Sequence, residues 1–548
     1  MKKVLTAVML AVLLAVSCND ASPDKFPAPE FGKVEVSLNG LVGTAQCEVR
    51  NAADGLNYGF ILGNTDSLQE IAVSPSAGML KAEIDGLTPA SEYTIQAFAT
   101  NGVNRIISET VHFKTEEQGT FAIIPDPVFS RLILKDYDKN GDGRLSLEEA
   151  ERISKLNFCT DSISSIEGIE YITNLQNLIC KGSDIERRTG RLTRIDLRQN
   201  SHLRYVETDG NNLKEMLLPE NYSDIEEIHC IYNRLESLNL SGCPKLKLLW
   251  CWENSLTSLN LSANRFLTDL QCAQNNFSEG LDVSSNTELR YLYCNDAYLQ
   301  AIDVSNNPEL LEFGCYNNYL KEIDVSHNAN LRILRCNNNL IESINVSENP
   351  ELFEFKCEDN YIKTLDLSRN TQLKWFSCTN NLLTSLDISV LPPLLEELSI
   401  GDNNISEPID LSRFEALTIY YGNNLPLDRL PDFSHNPKLK EIHICWRGGA
   451  VYIDKDFFRN WPDIEAINIC GYQHESIDFS LNTKIEKIWA DDLANLKILD
   501  LSASPNLTYL CLNGAEKLEK VIVHRSIDIS KLEIEANSKF HASVEHAP

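Results

Sequence analysis

The chain has 548 residues, is 43% hydrophobic and 23% charged, and carries a formal net charge of −30. That composition belongs to a folded protein of several domains. The acidity argues against nucleic acid or an anionic membrane face as a partner, because phosphate binding needs clustered Lys and Arg. It leaves cationic partners, divalent metals and neutral ligands open.

Lys2 and Lys3 precede an apolar run from Val4 to Val16. The run is too short to span a bilayer comfortably and reads as a signal peptide. It closes on Ala15-Val16-Ser17-Cys18, which resembles the lipobox of bacterial lipoproteins, with Ala15 where Leu is usual. The resemblance implies a diacylated (palmitate-type) Cys18 that anchors the mature chain in the cell outer membrane. Residues 19–30 then read as a linker. Asp20, just after Cys18, is similar to a surface-export signal of such lipoproteins.

Residues 31–116 alternate apolar and polar in short runs, as in Ala45-Gln-Cys47-Glu-Val49 and Leu80-Lys-Ala-Glu-Ile84. Period-two alternation between turn residues predicts an antiparallel β-sandwich. Gly86-Leu87-Thr88-Pro89-Ala90-Ser91-Glu92-Tyr93 resembles the fibronectin type III signature, which implies a tyrosine corner at Tyr93 and a spacer role. Ile106 to Phe113 would form the last strand.

Within 117–152, Asp138-Lys-Asn140-Gly-Asp142-Gly143-Arg144-Leu145-Ser146-Leu-Glu-Glu149 matches an EF-hand loop position by position. Asp138, Asn140 and Asp142 would offer side-chain oxygens and Arg144 its carbonyl. Ser146 would hold a water, and Glu149 would close the shell. Pro127–Lys135 and Leu147–Leu156 read as flanking helices. The expected cofactor is calcium. With a single loop its role would be to stiffen a junction and help cap the next domain.

From 153 to 535 one phrase recurs, regular between Ile225 and Ile405 as L-x-x-L-x-C-x-x-N-x-L and looser on either side, for example Leu331-Arg-Ile-Leu334-Arg-Cys336-Asn-Asn-Asn339-Leu-Ile341. Its cysteines fall at 230, 251, 272, 294, 315, 336, 357 and 378, and so strict a period means a solenoid. The pattern resembles the leucine-rich repeat family, in a bacterial version with Cys at the third apolar position. Leu and Cys would point inward. Asn233, Asn254, Asn275, Asn318, Asn339, Asn360, Asn381 and Asn403 would form a ladder to backbone groups at the bend, loosened where Ala297 interrupts it. The cysteines would stack as buried free thiols, since in-register neighbours make poor disulfides. A second phrase, as in Leu365-Asp-Leu367-Ser368, would run extended on the convex side. Residues 536–548 read as a tail.

Residues flanking Leu and Cys on each strand should face the concave side. The aromatics there, Tyr205, Tyr232, Trp250, Trp252, Tyr291, Tyr293, Tyr316 and Trp375, are the candidate ligand-binding residues, with His229, His443, Trp446 and Trp489 on the same face. No nucleophile motif, zinc spacing or phosphate loop is present, so no enzyme is expected. The expected fold is mainly β with some α: a sandwich, a short EF-hand helical junction and a right-handed leucine-rich repeat solenoid. The lipobox resemblance implies a lipid-anchored surface protein, and similarity to internalin-like adhesins implies that its concave face binds a protein partner. Two alternatives are glycan capture, by likeness to surface glycan-binding lipoproteins, and a purely structural envelope role.

Overall fold

The computed structural model describes residues 28–548, except 40–41, 65–66, 89, 116–120, 446–452, 455, 471, 473, 492, 494 and 537–540. The signal peptide, Cys18, most of the linker and Trp446 lie outside the described residues. The chain divides into two units, one holding the described residues up to Pro125 together with Ile133–Glu149, the other Asp126–Leu132 and Ala150–Pro548.

In the first unit the alternating runs become antiparallel strands: β1 Glu30–Phe31, β2 Glu35–Asn39, β3 Val42–Arg50, β4 Asn57–Gly63, β5 Leu68–Ala72, β6 Met79–Ile84, β7 Glu92–Thr100, β8 Arg105–Ile107 and β9 Val111–Lys114. β3 pairs with β1, β2 and β6, while β4 and β7 pair with each other and with β5, β8 and β9. The predicted last strand is therefore split in two. The inward residues of both sheets, among them Ala45, Cys47, Phe60, Leu80, Tyr93 and Ile95, form one core. Tyr93 is buried, and its hydroxyl accepts the Thr88 N–H at 2.8 Å. That is the bond expected of a tyrosine corner.

Helix α1 spans Pro127–Tyr137. Asp126 caps it, accepting from Val128 N and Phe129 N, and its other oxygen accepts from Ser164 N and Oγ at 2.9 Å. A side-chain acceptor at this position satisfies amides that the first helical turn leaves free. The exit helix is shorter than its sequence suggests. α2 covers only Leu147–Ala150, and a strand begins at Lys155. Leu156 and Phe158 are needed as inward residues of the first solenoid strand, and both are buried. Phe158 packs on Phe129 at 5.3 Å.

The repeated phrase builds an 18-stranded parallel sheet, one short strand per turn, from Lys155–Cys159 to Glu533–Glu535. The apolar and Cys positions face inward. All eight ladder cysteines have no measurable exposure and are free thiols. Burial raises each thiol pKa, that of Cys294 to about 12. Among the described residues one pair outside the ladder is joined: Cys445, one residue past the strand Glu441–Ile444, and Cys470, at the end of the neighbouring strand, form a disulfide with Cα atoms 4.6 Å apart.

The asparagine ladder forms as expected. Asn339 Nδ2 donates to Cys315 O at 3.1 Å and Cys336 O at 3.0 Å, and its Oδ1 accepts Leu320 N at 3.0 Å. The residue before each rung has positive φ, for example Asn338 at 53° and Asp402 at 53°. The looseness expected at Ala297 is absent. Asn318 Oδ1 accepts from both Ala297 N and Leu299 N, and Ala297 is fully buried.

A second asparagine ladder runs through Asn264, Asn286, Asn307, Asn328, Asn349 and Asn370, all fully buried. Asn328 Nδ2 donates to Val304 O at 3.0 Å and Asn307 O at 2.8 Å. The signal for it was the Asn three residues beyond each Leu/Val of the second phrase. That phrase is less regular than predicted. Among the described residues it pairs as strands only at Arg194–Asp196 with Glu215–Leu217, and at Ile498–Leu501, Lys520–Val523 and Ser543–His546, with isolated bridges such as Asp324 to Asn345. Elsewhere its Asp side chains close turns instead, as when Asp303 Oδ1 accepts Ser305 N at 2.9 Å. Side-chain turns of this kind compete with ladder pairing. The strand at Ser543–His546 also means the expected tail carries structure.

Candidate functional site on the long sheet

A strand exposes alternate residues, and in the middle turns each three-residue strand has a buried centre flanked by two outward positions. All eight candidate aromatics are half-buried. Tyr205, Trp250, Tyr291, Tyr293 and Trp375 lie on strands. Tyr232, Trp252 and Tyr316 lie beyond the strand ends, and Tyr232 sits at the left-handed bend with φ 51°.

This separates two clusters that the sequence merges. On the sheet, His229 lies between Tyr205 at 5.2 Å and Trp250 at 4.4 Å. At the bend, Tyr232 meets Trp252 edge-on at 4.7 Å, with the Arg188 guanidinium 5.6 Å from the Tyr232 ring and 2.9 Å from Glu253. Trp250 and Trp252 therefore belong to different groups. Asp209, two residues past the strand Tyr205–Glu207, is only 4% exposed and accepts Ile231 N at 2.9 Å. Burial pushes its carboxyl up to about 7.

Asp269, Gln271, Tyr291, Tyr293 and Glu312 line an open cleft of about 320 Å³ on three successive strands. Asp269, Tyr291 and Glu312 stand in one register row, and Gln271, Tyr293 and Gly314 in the next. Trp250 Nε1 donates to Asp269 Oδ1 at 3.3 Å. The Tyr293 hydroxyl bonds the Glu312 carboxylate. Burial raises the Asp269 pKa. Gly314 has a positional role: a Cβ there would stand 2.6 Å from Tyr293 Cδ1, so the ring lies over the glycine. Nothing in the repeat pattern distinguishes that glycine, and the sequence alone does not single it out.

Further along, Arg335 grips Glu354 through two hydrogen bonds of 2.7 and 2.9 Å. Trp375 meets Phe353 edge-on at 4.6 Å. A second aromatic group follows: Tyr421 stacks on His443 at 4.6 Å, His443 lies 5.6 Å from Trp489, and Trp489 lies 5.5 Å from Tyr509.

In the loop of residues 138–149 the predicted side chains brace the backbone. Asp138 accepts from Gly141 N and Gly143 N, Asn140 from Asp142 N, and Asp142 from Arg144 N. Glu149 accepts from Lys139 N at 2.8 Å and from Ser146 N and Oγ. Those bonds hold its carboxyl below the usual range. The loop also pairs with the segment before α1, Ala122 N donating to Leu145 O at 2.8 Å. The oxygens are of the hard type calcium takes. Among the described residues no three His, Cys, Asp or Glu side chains are grouped to hold a metal ion.

No protein-family model and no curated protein matches the sequence. Among solved structures, the functional domain of InlJ from Listeria monocytogenes, which includes a cysteine ladder, is similar at 23% identity with a TM-score of 0.52, over 73% of this chain and 82% of that one. The internalin InlF from Listeria monocytogenes gives 19% identity and a TM-score of 0.47 over 67% and 95%. YopM, a leucine-rich effector protein from Yersinia pestis, gives 18% and 0.36 over 72% and 90%. With its parallel sheet, inward Leu and Cys and asparagine ladders, the larger unit of this chain has the fold of a leucine-rich repeat solenoid.

Proposed function

We propose that this chain is a non-enzymatic binding protein that recognises a protein partner through the open face of its long sheet. The observation that carries this is the row of half-buried aromatic and charged side chains from Tyr205 to Trp375 on a rigid, in-register scaffold. Aromatic and Arg side chains on a preorganised face are the usual anchors of protein interfaces. The similar InlJ domain also includes a cysteine ladder. In this chain the ladder serves the core, which leaves the outward side chains free to differ from turn to turn. Affinity capture of protein partners alongside a glycan array, with wild type and Trp250→Ala/Tyr291→Ala, tests the reading. Protein capture unaffected by the double substitution overturns the assignment to this face. Saccharide binding lost in the same variant, without protein capture, favours glycan recognition.

The reading extends to a surface lipoprotein anchored through Cys18, supported by the residues around it alone. Metabolic labelling with a palmitate analogue, lost in Cys18→Ala, checks the anchor, and protease shaving of whole cells checks exposure. We also propose that Asp138, Asn140, Asp142, Arg144, Ser146 and Glu149 hold calcium, whose charge would replace loop amides as the partner of the carboxylates. Calcium at millimolar concentration should then raise the unfolding temperature in wild type and not in Glu149→Gln. No rise in wild type refutes the site.

A further inference from the structure

The cleft at Asp269, Gln271, Tyr291, Tyr293 and Glu312 combines features that select one chemistry. Its lining includes two carboxylates and no basic side chain. Their backbone positions lie two strand spacings apart, about 9–10 Å along the sheet, with Tyr291 in the same row between them. Tyr293 lies across Gly314, and its hydroxyl is tied to Glu312, which holds the ring in place. Asp269 is held from the other side by Trp250. Arg335, on the next strand, donates two hydrogen bonds to Glu354 and also lies within electrostatic reach of Tyr293 and Glu312, while no basic side chain faces Asp269 in the cleft. The chain as a whole carries a charge of −30.

We infer that this cleft receives a cationic side chain, an arginine above all, presented by the protein partner. The inference rests on the protein-partner reading and names the group that reading leaves open. A guanidinium is planar, donates in several directions and stacks on aromatic faces. Seated over Tyr291, it donates to Asp269 on one side and Glu312 on the other. Trp250 and Tyr293 already occupy one oxygen of each carboxylate, which fixes the direction of the other. A neutral sugar finds rings and acceptors here too, but it leaves Asp269 without a cation and Glu312 with only the Arg335 it shares with Glu354. Charge complementarity therefore decides for the cation.

The test uses the full chain and two probes, an acetylated tetra-arginine amide and the same peptide with citrulline, the neutral isostere of arginine. Calorimetry should show binding of the arginine peptide and at least tenfold weaker binding of the citrulline peptide. Asp269→Asn and Glu312→Gln should each weaken the arginine peptide about tenfold, the size of one charge-assisted hydrogen bond. Asp303→Asn with Asp324→Asn removes two exposed charges from the second phrase and should leave binding unchanged, which separates the cleft from general attraction to an acidic surface. Gly314→Ala should displace Tyr293 and weaken binding. Tyr293→Phe, which keeps the ring and loses the bond to Glu312, provides the same reading should Gly314→Ala fold poorly by circular dichroism. Equal affinity for the two peptides overturns the inference, and so does an equal loss in the Asp303/Asp324 variant. An oligosaccharide that binds wild type and is lost in Tyr291→Ala, while the arginine peptide does not bind, assigns the cleft to glycan. Partner capture that is retained in Asp269→Asn/Glu312→Gln but lost in Trp250→Ala/Tyr291→Ala sinks this inference alone. Capture retained in both variants sinks the sheet-face reading with it.

Discussion

Replacing Asn339 by Ala isolates what the bend ladder contributes. Asn339 is 5% exposed and sits in the most regular part of the solenoid. Its amide supplies Cys315 O and Cys336 O, and its carbonyl takes Leu320 N. Alanine removes these bonds and leaves the buried Leu320 N–H without a partner, while Cys315 O keeps Asn318 Nδ2 and Cys336 O keeps Asn360 Nδ2. A buried group left so costs about 1–3 kcal/mol. Each carbonyl loses one bond and keeps another, so the net loss should be about 2–3 kcal/mol, most of it from the Leu320 N–H. The direct assay is hydrogen exchange of the Leu320 amide, together with urea unfolding of the whole chain. Exchange is the sharper of the two, because repeat proteins unfold by neighbouring units and a single global free energy is poorly defined for them. Protection at Leu320 should fall by about two orders of magnitude, with little change at Leu235 or Leu383, which are served by Asn254 and Asn403. A loss below about 1 kcal/mol, or a loss spread evenly along the solenoid, would refute the argument that each rung acts on its neighbouring turns.

Asp209 gives a pH prediction. Its folded carboxyl titrates near 7 because it is buried, against about 3.9 unfolded. The folded state therefore binds the extra proton between these values, and stability should fall as pH rises through that window. Asp209→Asn, which keeps an acceptor for Ile231 N, should flatten that part of a urea-midpoint profile, and an unchanged slope counts against the assignment. The ladder thiols should resist alkylation in the native state, since they are buried with raised pKa values, while exposed Cys159 reacts at once. Mass spectrometry should count the eight ladder cysteines as reactive only after denaturation, and ladder disulfides would contradict the structure. Tyr93→Phe removes the bond from Thr88 N and should lower the stability of the sandwich by about 1 kcal/mol. Proteolysis of the first unit would report it, and equal resistance in both proteins would argue against a tyrosine corner.

Sequence by itself determined the solenoid. A period carried by inward Leu, Cys and Asn can be buried only by stacking turns in register, so the strands, the thiol ladder and the first asparagine ladder followed from spacing. The sandwich strands were legible for a similar reason, since period-two alternation fixes which side chains enter the core. Tertiary structure decided what repetition does not encode. Whether Trp252 shares a site with Trp250 depends on where a strand ends, and a three-residue strand places the two rings in separate clusters. The gap at Ala297 was closed by a neighbour one turn away, through the second lone pair of Asn318 Oδ1. The Cys445–Cys470 disulfide needed adjacent turns of irregular length brought side by side. The cleft exists because Gly314, at a position filled by larger residues on the neighbouring strands, lets the Tyr293 ring lie down beside Glu312. A periodic sequence dictates the average turn, and contacts between unequal turns set the binding surface.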